Sequence, residues 1–467
     1  MARSKTIDVA ALIESQAVSR FLLRTVTICF LVQIMDGFDL QVTGYIAPYI
    51  VRDWHVDRAA LGPVFSAGYI GLMIGGFLFG PLGDRFGRKT VIIWSTVLFG
   101  ICCFLTAWAH SLNEMLVYRL ITGIGLGGTM PATIALVCEY APARVRATML
   151  TVMICGNSFG AVLGGLVASN LISVFGWNVV FYVGGIIPVL LVPFIILWAP
   201  ESIGFLILRG RTRDAITSLL HKIAPDSAIE QDAEFTWRNE RRHGFPVKYL
   251  FTDGYALPTS MLWIAAFMVL LCLNFVFNWL PFLLNSVGIP LDHAVSITVG
   301  YQVGALLGAI ILGRFVDRFG FFRVLGVTFV AGALLIALLG QVGQAIAVLA
   351  AMSFGAGFCI VGGQQTVNAL SGAFYPASVR STGSGWALGF GRIGAVIGPL
   401  LGSFLLGLQW EMQHLFFVAA GICLACSAAV LMMGYSARAK VVGALYDASQ
   451  PRALQAGDEG AASISSV

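Results

Sequence analysis

The sequence predicts an all-α polytopic membrane protein whose twelve spanning helices form two six-helix halves. Three observations carry this expectation: a composition too apolar for water, twelve long hydrophobic runs, and motifs that recur at half the chain length. Of the 467 residues, 58% are hydrophobic and only 11% charged, and the mean hydropathy is +0.86. A soluble domain typically carries about 25% charged residues. The apolar runs are continuous, whereas a membrane β-barrel would alternate apolar and polar residues over ~10-residue strands.

A spanning helix needs about 20 apolar residues. Residues 1–20 are polar and read as a cytoplasmic N-terminal segment. They are not a cleavable signal: Asp8 and Glu14 precede the first apolar run, and that run exceeds the ~7–15 residues of a signal core. The first bundle, 21–199, holds spans at 21–47, 60–82, 90–109, 114–138, 147–173 and 177–198. A central polar loop follows at 200–256. The second bundle, 257–434, holds spans at 257–284, 292–315, 322–341, 344–370, 381–407 and 413–434, the ninth and tenth separated only by the weak break 341–344. Residues 435–467 form a Gly-, Ala- and Ser-ending tail, expected to be disordered and cytoplasmic.

Charge sets the orientation. With the N-terminus inside, 24 of the 28 Lys and Arg residues fall on the inner side, Arg52 and Arg58 outside, and Arg119 and Arg392 within spans. Both termini are therefore expected in the cytoplasm, with the bundle crossing the cell inner membrane. The same asymmetry accounts for the net charge of +5 without a nucleic-acid partner. The nine cysteines lie mostly in apolar spans and suggest no disulfide framework; Cys423 and Cys426 read as small apolar filler in the last span.

The internal repeat is explicit. After span two comes Gly80-Pro-Leu-Gly-Asp84-Arg85-Phe-Gly87-Arg88-Lys89; after span eight comes Gly313-Arg-Phe-Val-Asp317-Arg318-Phe-Gly320, at an offset of 233. Pro142 to Thr148 matches Pro376 to Thr382, and Gly160-Ala-Val-Leu-Gly164 matches Gly394-Ala-Val-Ile-Gly398, both at 234. Parallel repeats of this kind build alternating-access transporters with the substrate between the halves.

These motifs resemble the major facilitator superfamily. Gly80 to Lys89 is similar to its signature between helices two and three, and Arg119 to Glu139, with Gly123, Gly125, Gly127, Gly128 and Pro131, to its helix-four signature. Asp36-Gly37-Phe38-Asp39 resembles the first-helix signature of the aromatic acid:proton symporter family, and Pro200-Glu201-Ser202 and the stretch Asn368 to Arg392 fit that family. The resemblance implies the major facilitator fold and proton-driven uptake of an aromatic acid such as a hydroxybenzoate, protocatechuate, benzoate or gentisate.

Asp36 and Asp39 lie three residues apart on one helical face inside span one. Each carboxylate at a helix centre costs about 2.5–3.5 kcal/mol on insertion scales, so such residues mark function. They are assigned to proton coupling; a structural ion pair with an arginine is the alternative. Arg119 in span four and Arg392 in span eleven are the two buried cations, and guanidinium pairs bidentately with a carboxylate. Either could hold the substrate; the preferred assignment puts Arg392 on substrate and Arg119 on the acids. The repeat counterparts of Asp36, Asp39 and Arg119 are Leu270, Leu273 and Ser353, and that of Arg392 is Ser158. Scaffold charges should recur in both halves, so these four read as chemistry.

Asn274, Asn278, Trp279 and Phe282 share a face of span seven, and Tyr301, Gln302, Gln364, Gln365, Asn368 and Trp386 are further polar or aromatic groups within spans. They are candidate substrate contacts, with interhelical packing the alternative. Asp84, Arg85, Arg88, Glu139, Arg146, Asp317, Arg318 and Arg380 sit at inner helix ends and are expected to form the pairs of a cytoplasmic gate. Glycine stripes in spans two and four allow close helix approach. Gly389 to Gly394 spells a nucleotide-loop pattern, but inside a span and without a preceding strand. No phosphate loop or metal-ligand cluster is apparent, so neither cofactor nor metal is expected. The chain reads as no enzyme; its partners are substrate, protons and lipid, and it is expected to be a monomer. The alternative function is a proton-coupled exporter of drugs or organic ions. Position 161 is Ala where the superfamily's antiporters resemble a Gly-Pro pattern, and two buried arginines suit an anion.

Overall fold

A computed structural model describes residues 6–209, 213–223, 234–236, 250–252, 255–343, 345–375 and 380–449. Pro376 of the repeated motif, the Arg380 side chain and the chain beyond 449 lie outside the described residues.

The element order is β1 (Thr6–Asp8), α1 (Val9–Ser15), α2 (Arg20–Trp54), a 3-10 turn (Arg58–Leu61), α3 (Gly62–Phe86), α4 (Arg88–Thr106), α5 (Leu112–Tyr140), α6 (Ala143–Phe175), α7 (Asn178–Trp198), α8 (Ile203–Leu208), α9 (Arg213–Ile223) and β2 (Glu234–Thr236). The second half is α10 (Ala256–Ser286), α11 (Leu291–Phe319), α12 (Phe321–Leu339), α13 (Ile346–Phe374), α14 (Arg380–Gly407) and α15 (Met412–Ser449). Twelve of these helices are long and apolar enough to cross a membrane, so the chain is a multi-pass membrane protein.

The helices outrun the apolar runs. α2 continues to Trp54, seven residues past the expected limit of 47, through Pro48, Arg52 and Asp53, and stops where His55 adopts φ 53°. α15 likewise extends beyond 434. Hydropathy marks where a helix meets water, whereas a helix ends only when its backbone is capped. The expected polar loop after span two is the last turns of α3: the connection narrows to Gly87, at φ 99°. Its repeat partner Gly320, at φ 81°, makes the same one-residue turn between α11 and α12. A positive φ of this size favours glycine, which accounts for the glycine that the two motifs share.

Packing repeats as the sequence does. α3 lies against α5 as α11 lies against α13; α2 against α6 as α10 against α14; α4 against α7 as α12 against α15. The crossings run through glycines. A Cβ on Gly71 would strike the Leu120 carbonyl of α5, and one on Gly304 the Phe354 carbonyl of α13.

The halves meet through α3 with α14, α6 with α11, and α2 with α10. Their ties lie at the end away from the termini. Tyr49 donates to Asp292 Oδ1 at 2.8 Å, Ser66 donates to the Val396 carbonyl at 2.7 Å, and Ser403 donates to the Ala59 carbonyl. Phe65 sits edge-on to Trp279 at 5.5 Å, and Tyr45 to Phe277 at 5.3 Å. At the terminal end the opposing stretches are open: a Cβ on Gly80, Gly385 or Gly389 would meet nothing within 4 Å.

The segments expected to be a plain polar arm and loop form a cap on the first half. β1 pairs in parallel with β2, Thr6 opposite Glu234. Val9 and Ile13 of α1, Ile203 of α8, and Ile216, Leu220 and Ile223 of α9 join the apolar core beneath α2, α5 and α7. Asp8 caps α1 by accepting from the Ala10 and Ala11 amides, and Glu14 pairs with Arg146 at 2.8 Å.

Candidate functional site

The polar centre lies between α2 and α5. Helix α2 reaches α6 through Gly37, where a Cβ would collide with the Asn157 carbonyl. That close approach leaves Asp36 and Asp39, on either side of the glycine, buried toward α5.

Three rungs join the two helices. Arg119 Nη1 donates to Asp39 Oδ1 at 2.9 Å, and Nη2 to Asp39 Oδ2 and to its carbonyl, both at 3.0 Å. The side chains are 3% and 0% exposed, so each charge depends on the other for its stability. Arg119 also lies over the Phe181 ring of α7, 5.8 Å from its centre. In the second rung Asp36 Oδ2 is 2.6 Å from the Thr129 hydroxyl, while Asp36 Oδ1 has no hydrogen-bond partner among the described residues. In the third, Gln33 Nε2 donates to the Thr133 hydroxyl at 3.2 Å.

Arg392 is placed differently. It is half-buried on α14 and makes no hydrogen bond or ion pair among the described residues. Its Nη1 lies 3.0 Å from where a Cβ of Gly76 on α3 would stand, so it projects across the gap from the second half to the first. The two arginines, either of which could hold the substrate by residue type, thus separate by geometry, in the sense of the preferred assignment. One is fully engaged by Asp39; the other has its charge available at the seam of the halves.

The remaining candidates divide. Asn274 and Asn278 are buried on α10 with their amide nitrogens turned to the carbonyls of Leu270 (2.8 Å) and Asn274 (2.7 Å). Gln302 and Gln364 are buried and Gln365 half-buried, with no hydrogen bond among the described residues. Trp279, Tyr301 and Trp386 are brought elsewhere. Trp279 is fully buried where the halves close, its indole donating to the Pro399 carbonyl at 3.2 Å. Tyr301 is sealed inside the second half, where Gly357 of α13 packs on its backbone. Trp386 is 44% exposed and stacks on Trp263 at 5.8 Å beside Phe390. It lies some 120° around α14 from Arg392 at ~100° per residue, and joins no site with it.

Among the described residues, the gate residues form no tie between halves. Arg88 pairs with Glu139, and Arg146 with Glu14, both within the first half. Asp84, Arg85, Asp317 and Arg318 are exposed and unpaired among the described residues. This follows from the open terminal end, which keeps the two motifs apart. A cavity of about 880 Å³ sits there under α1, lined by Asp84, Arg88, Glu139 and Arg146.

Sequence reasoning passed over Thr129 and Thr133, and read Gly76 only as one of the span-two packing glycines. The signal was available. Thr129 and Thr133 are four apart, Gln33 and Asp36 three apart, and both pairs extend the register set by Arg119 and Asp39. Hydroxyls in an apolar helix attract little notice because they usually bond to their own helix.

A model of the Major Facilitator Superfamily matches residues 29–299 and 262–453. A 4-hydroxybenzoate transporter, PcaK, of Pseudomonas putida is 36% identical over 414 residues, covering 88% of this chain and 92% of its own. A gallate transporter of Pseudomonas putida is 36% identical over 431 residues, covering 92% and 96%. Among solved structures, a D-xylose-proton symporter superposes with a TM-score of 0.68 at 19% identity, over 88% of this chain and 97% of that one, a likeness of fold alone. With matches spanning nearly the whole chain and one helical architecture in common, the protein belongs to the major facilitator superfamily.

Proposed function

We propose that the protein imports a hydroxylated aromatic carboxylate together with protons, by alternating access between its halves. The observation that carries this reading is the difference between the buried arginines: Arg119 is neutralised by Asp39, and Arg392 has no counter-anion among the described residues. A half-buried guanidinium facing the seam is a docking point for a carboxylate, which it can hold through two parallel hydrogen bonds. The names of the 4-hydroxybenzoate and gallate relatives support an aromatic acid as its owner. Gln302, Gln364, Gln365 and the free oxygens of Asn274 and Asn278 would then read ring hydroxyls.

Asp36 is the group proposed to carry the proton, with the Asp39–Arg119 pair holding α2 to α5 beside it. The 24-to-2 distribution of basic residues supports cytoplasmic termini. In that orientation the structure's open end faces the cytoplasm, and the exposed motifs around Asp84, Arg85, Asp317 and Arg318, together with Arg380, would close it when the halves rock. One proton with a monoanion is electroneutral; a second would add about 2.3 kcal/mol per 100 mV of membrane potential.

The test is uptake by proteoliposomes of labelled 4-hydroxybenzoate, gallate, benzoate and gentisate under an imposed pH gradient. Accumulation of at least one acid, abolished when the gradient is collapsed and in Asp36→Asn, supports the reading. Gradient-independent uptake by the wild type, or full coupling in both Asp36→Asn and Asp39→Asn, removes it.

A further inference from the structure

The two acids have unlike partners. Asp39 accepts from a fixed cation at both oxygens. Asp36 meets a hydroxyl, and that hydroxyl has two neighbours: Asp36 Oδ2 at 2.6 Å and the Leu126 carbonyl of its own helix at 2.7 Å. Thr129 has one proton to give. When Asp36 is ionised, the hydroxyl donates to Oδ2, and the Leu126 carbonyl keeps its ordinary helical bond. When Asp36 is protonated, its Oδ2–H donates to the Thr129 oxygen, and Thr129 turns its hydrogen to Leu126. The Oδ2–Thr129 contact is kept in both states with the heavy atoms where they stand. The proton leaves or joins Oδ2, and one O–H rotates.

We propose that Thr129 is the positioning residue of the proton site, a two-way hydroxyl that lets Asp36 load and unload a proton without repacking α2 against α5. This rests on Asp36 as the coupling group. Three further observations support it. Asp36 Oδ1 is buried without a partner, so the Thr129 contact is the carboxyl's one polar anchor among the described residues. The hydroxyl is held in place, because Gly127 packs on α3 and Gly128 on Ser95 and Phe79, while Thr133 donates to the Thr129 carbonyl at 2.9 Å. The second half lacks the whole ladder: the counterparts of Gln33, Asp36, Thr129 and Thr133 at an offset of 234 are Phe267, Leu270, Gly363 and Val367.

The charged and titratable groups near Asp36 are Asp39 on its own helix, Arg119 on α5, and beyond that pair the Cys103 thiol of α4 and the Tyr69 phenol of α3. From α6 the facing residues are Gly156, Asn157 and Gly160, from α7 Gly184, and from α10 Phe277, none of which titrates. Asp39 is paired with Arg119, and Thr129 is the hydrogen-bond partner that distinguishes the two states of Asp36.

The experiment is infrared difference spectroscopy of the full-length protein in liposomes without substrate, following the protonated-carboxyl band against pH. The band should disappear in Asp36→Asn. A hydrogen bond to a charged acceptor is worth roughly 1–1.5 kcal/mol more than one to a neutral group, so Thr129→Val should raise the pH of half-loss by about one unit. Thr129→Ser, which keeps the hydroxyl, should restore the wild-type midpoint, and the band frequency should change in Val but not in Ser. A titrating band that survives Asp36→Asn removes the reading of Asp36 itself. A band lost in Asp36→Asn with an unchanged midpoint and frequency in Thr129→Val overturns the role of Thr129 while Asp36 stands. If the Val variant does not fold, Thr129→Ala is read against Thr129→Ser in the same way.

Discussion

In the first half Gly71 and Gly75 of α3 lie on Leu120 and Ile124 of α5; in the second, Gly304 and Gly308 of α11 lie on Phe354 and Phe358 of α13, every residue 233 or 234 from its counterpart. Beside these repeated contacts, where α2 meets α5 in the first half, the buried chemistry differs completely. Where the first half places Asp39 against Arg119, the second has Leu273 and Ser353. The second half instead contributes Arg392, whose counterpart is Ser158. Duplication supplied a frame of close-packed glycines, and each half then acquired different charges within it. Glycine contacts repeat because two helices that must approach have few alternatives. A buried charge costs stability unless it is matched or used, so it is found where transport needs it.

The largest effect should come from exchanging the roles of the two arginines. Removing Arg119 leaves Asp39 buried and unpaired, a loss of about 3–5 kcal/mol. Arg119→Gln should therefore melt far earlier in detergent than the wild type, and Arg119→Gln with Asp39→Asn should recover much of the difference. Arg392 has no partner among the described residues to strand. Arg392→Gln should melt near the wild-type temperature while weakening substrate binding by about ten- to a hundredfold, the worth of roughly 1.5–3 kcal/mol from hydrogen bonds to a charged group. Equal melting losses at both positions would break the distinction between the engaged arginine and the free one.

The frame itself gives a smaller, symmetric effect. A methyl on Gly71 meets the Leu120 carbonyl, and one on Gly304 meets the Phe354 carbonyl. Gly71→Ala and Gly304→Ala should each lower stability by about 1–3 kcal/mol, as overpacking does, and by similar amounts in thermal unfolding. A large loss in one and none in the other would show that the halves share a sequence pattern without sharing its mechanical use.

These contrasts also explain what could be read before the fold was known. The twelve spans, the repeat and the four buried charges were legible because each is a departure from background: apolar length, recurrence, charge where none is tolerated. The preference for Arg119 as partner of the acids agrees with the observed Arg119–Asp39 pair, but which of the two acids it engages was not legible, since only helix packing decides which carboxylate faces α5. The cap was missed for a different reason. Val9 and Ile13, and the apolar residues of α9, are too few to stand out in a polar stretch, yet they suffice once α5 and α7 offer them a surface. The loop after span two was misjudged because Asp84 and Arg85 are hydrophilic; they sit on the last helical turns, and Gly87 alone makes the bend. Trp386 and Tyr301 looked like ring-stacking groups by type. Their positions around α14 and within the second half carry them away from Arg392, and type does not encode direction.

The smallest expected effect is on the balance between the two open forms. The terminal end is open and the far end closed, and the closed end is tied by Tyr49 to Asp292, one residue from each half. The phenol is buried and the carboxylate lies at the first turn of α11, exposed. Tyr49→Phe keeps the ring in place and removes the donor. A hydrogen bond at a partly wet site is worth about 1 kcal/mol, so the ratio of far-end-open to far-end-closed molecules should rise about fivefold. Spin labels on cysteines at Arg58 and Gln409, exposed positions on opposite halves at that end, read the change as a larger long-distance fraction. The native cysteines are buried or half-buried and compete little for label. Asp292→Asn should move the distribution less, because an amide oxygen still accepts from Tyr49. An unchanged distribution in Tyr49→Phe would mean that Ser66, Ser403 and the Phe65–Trp279 contact hold that end by themselves, and the closure would then depend on packing along α3 and α14 instead of on a tie between α2 and α11.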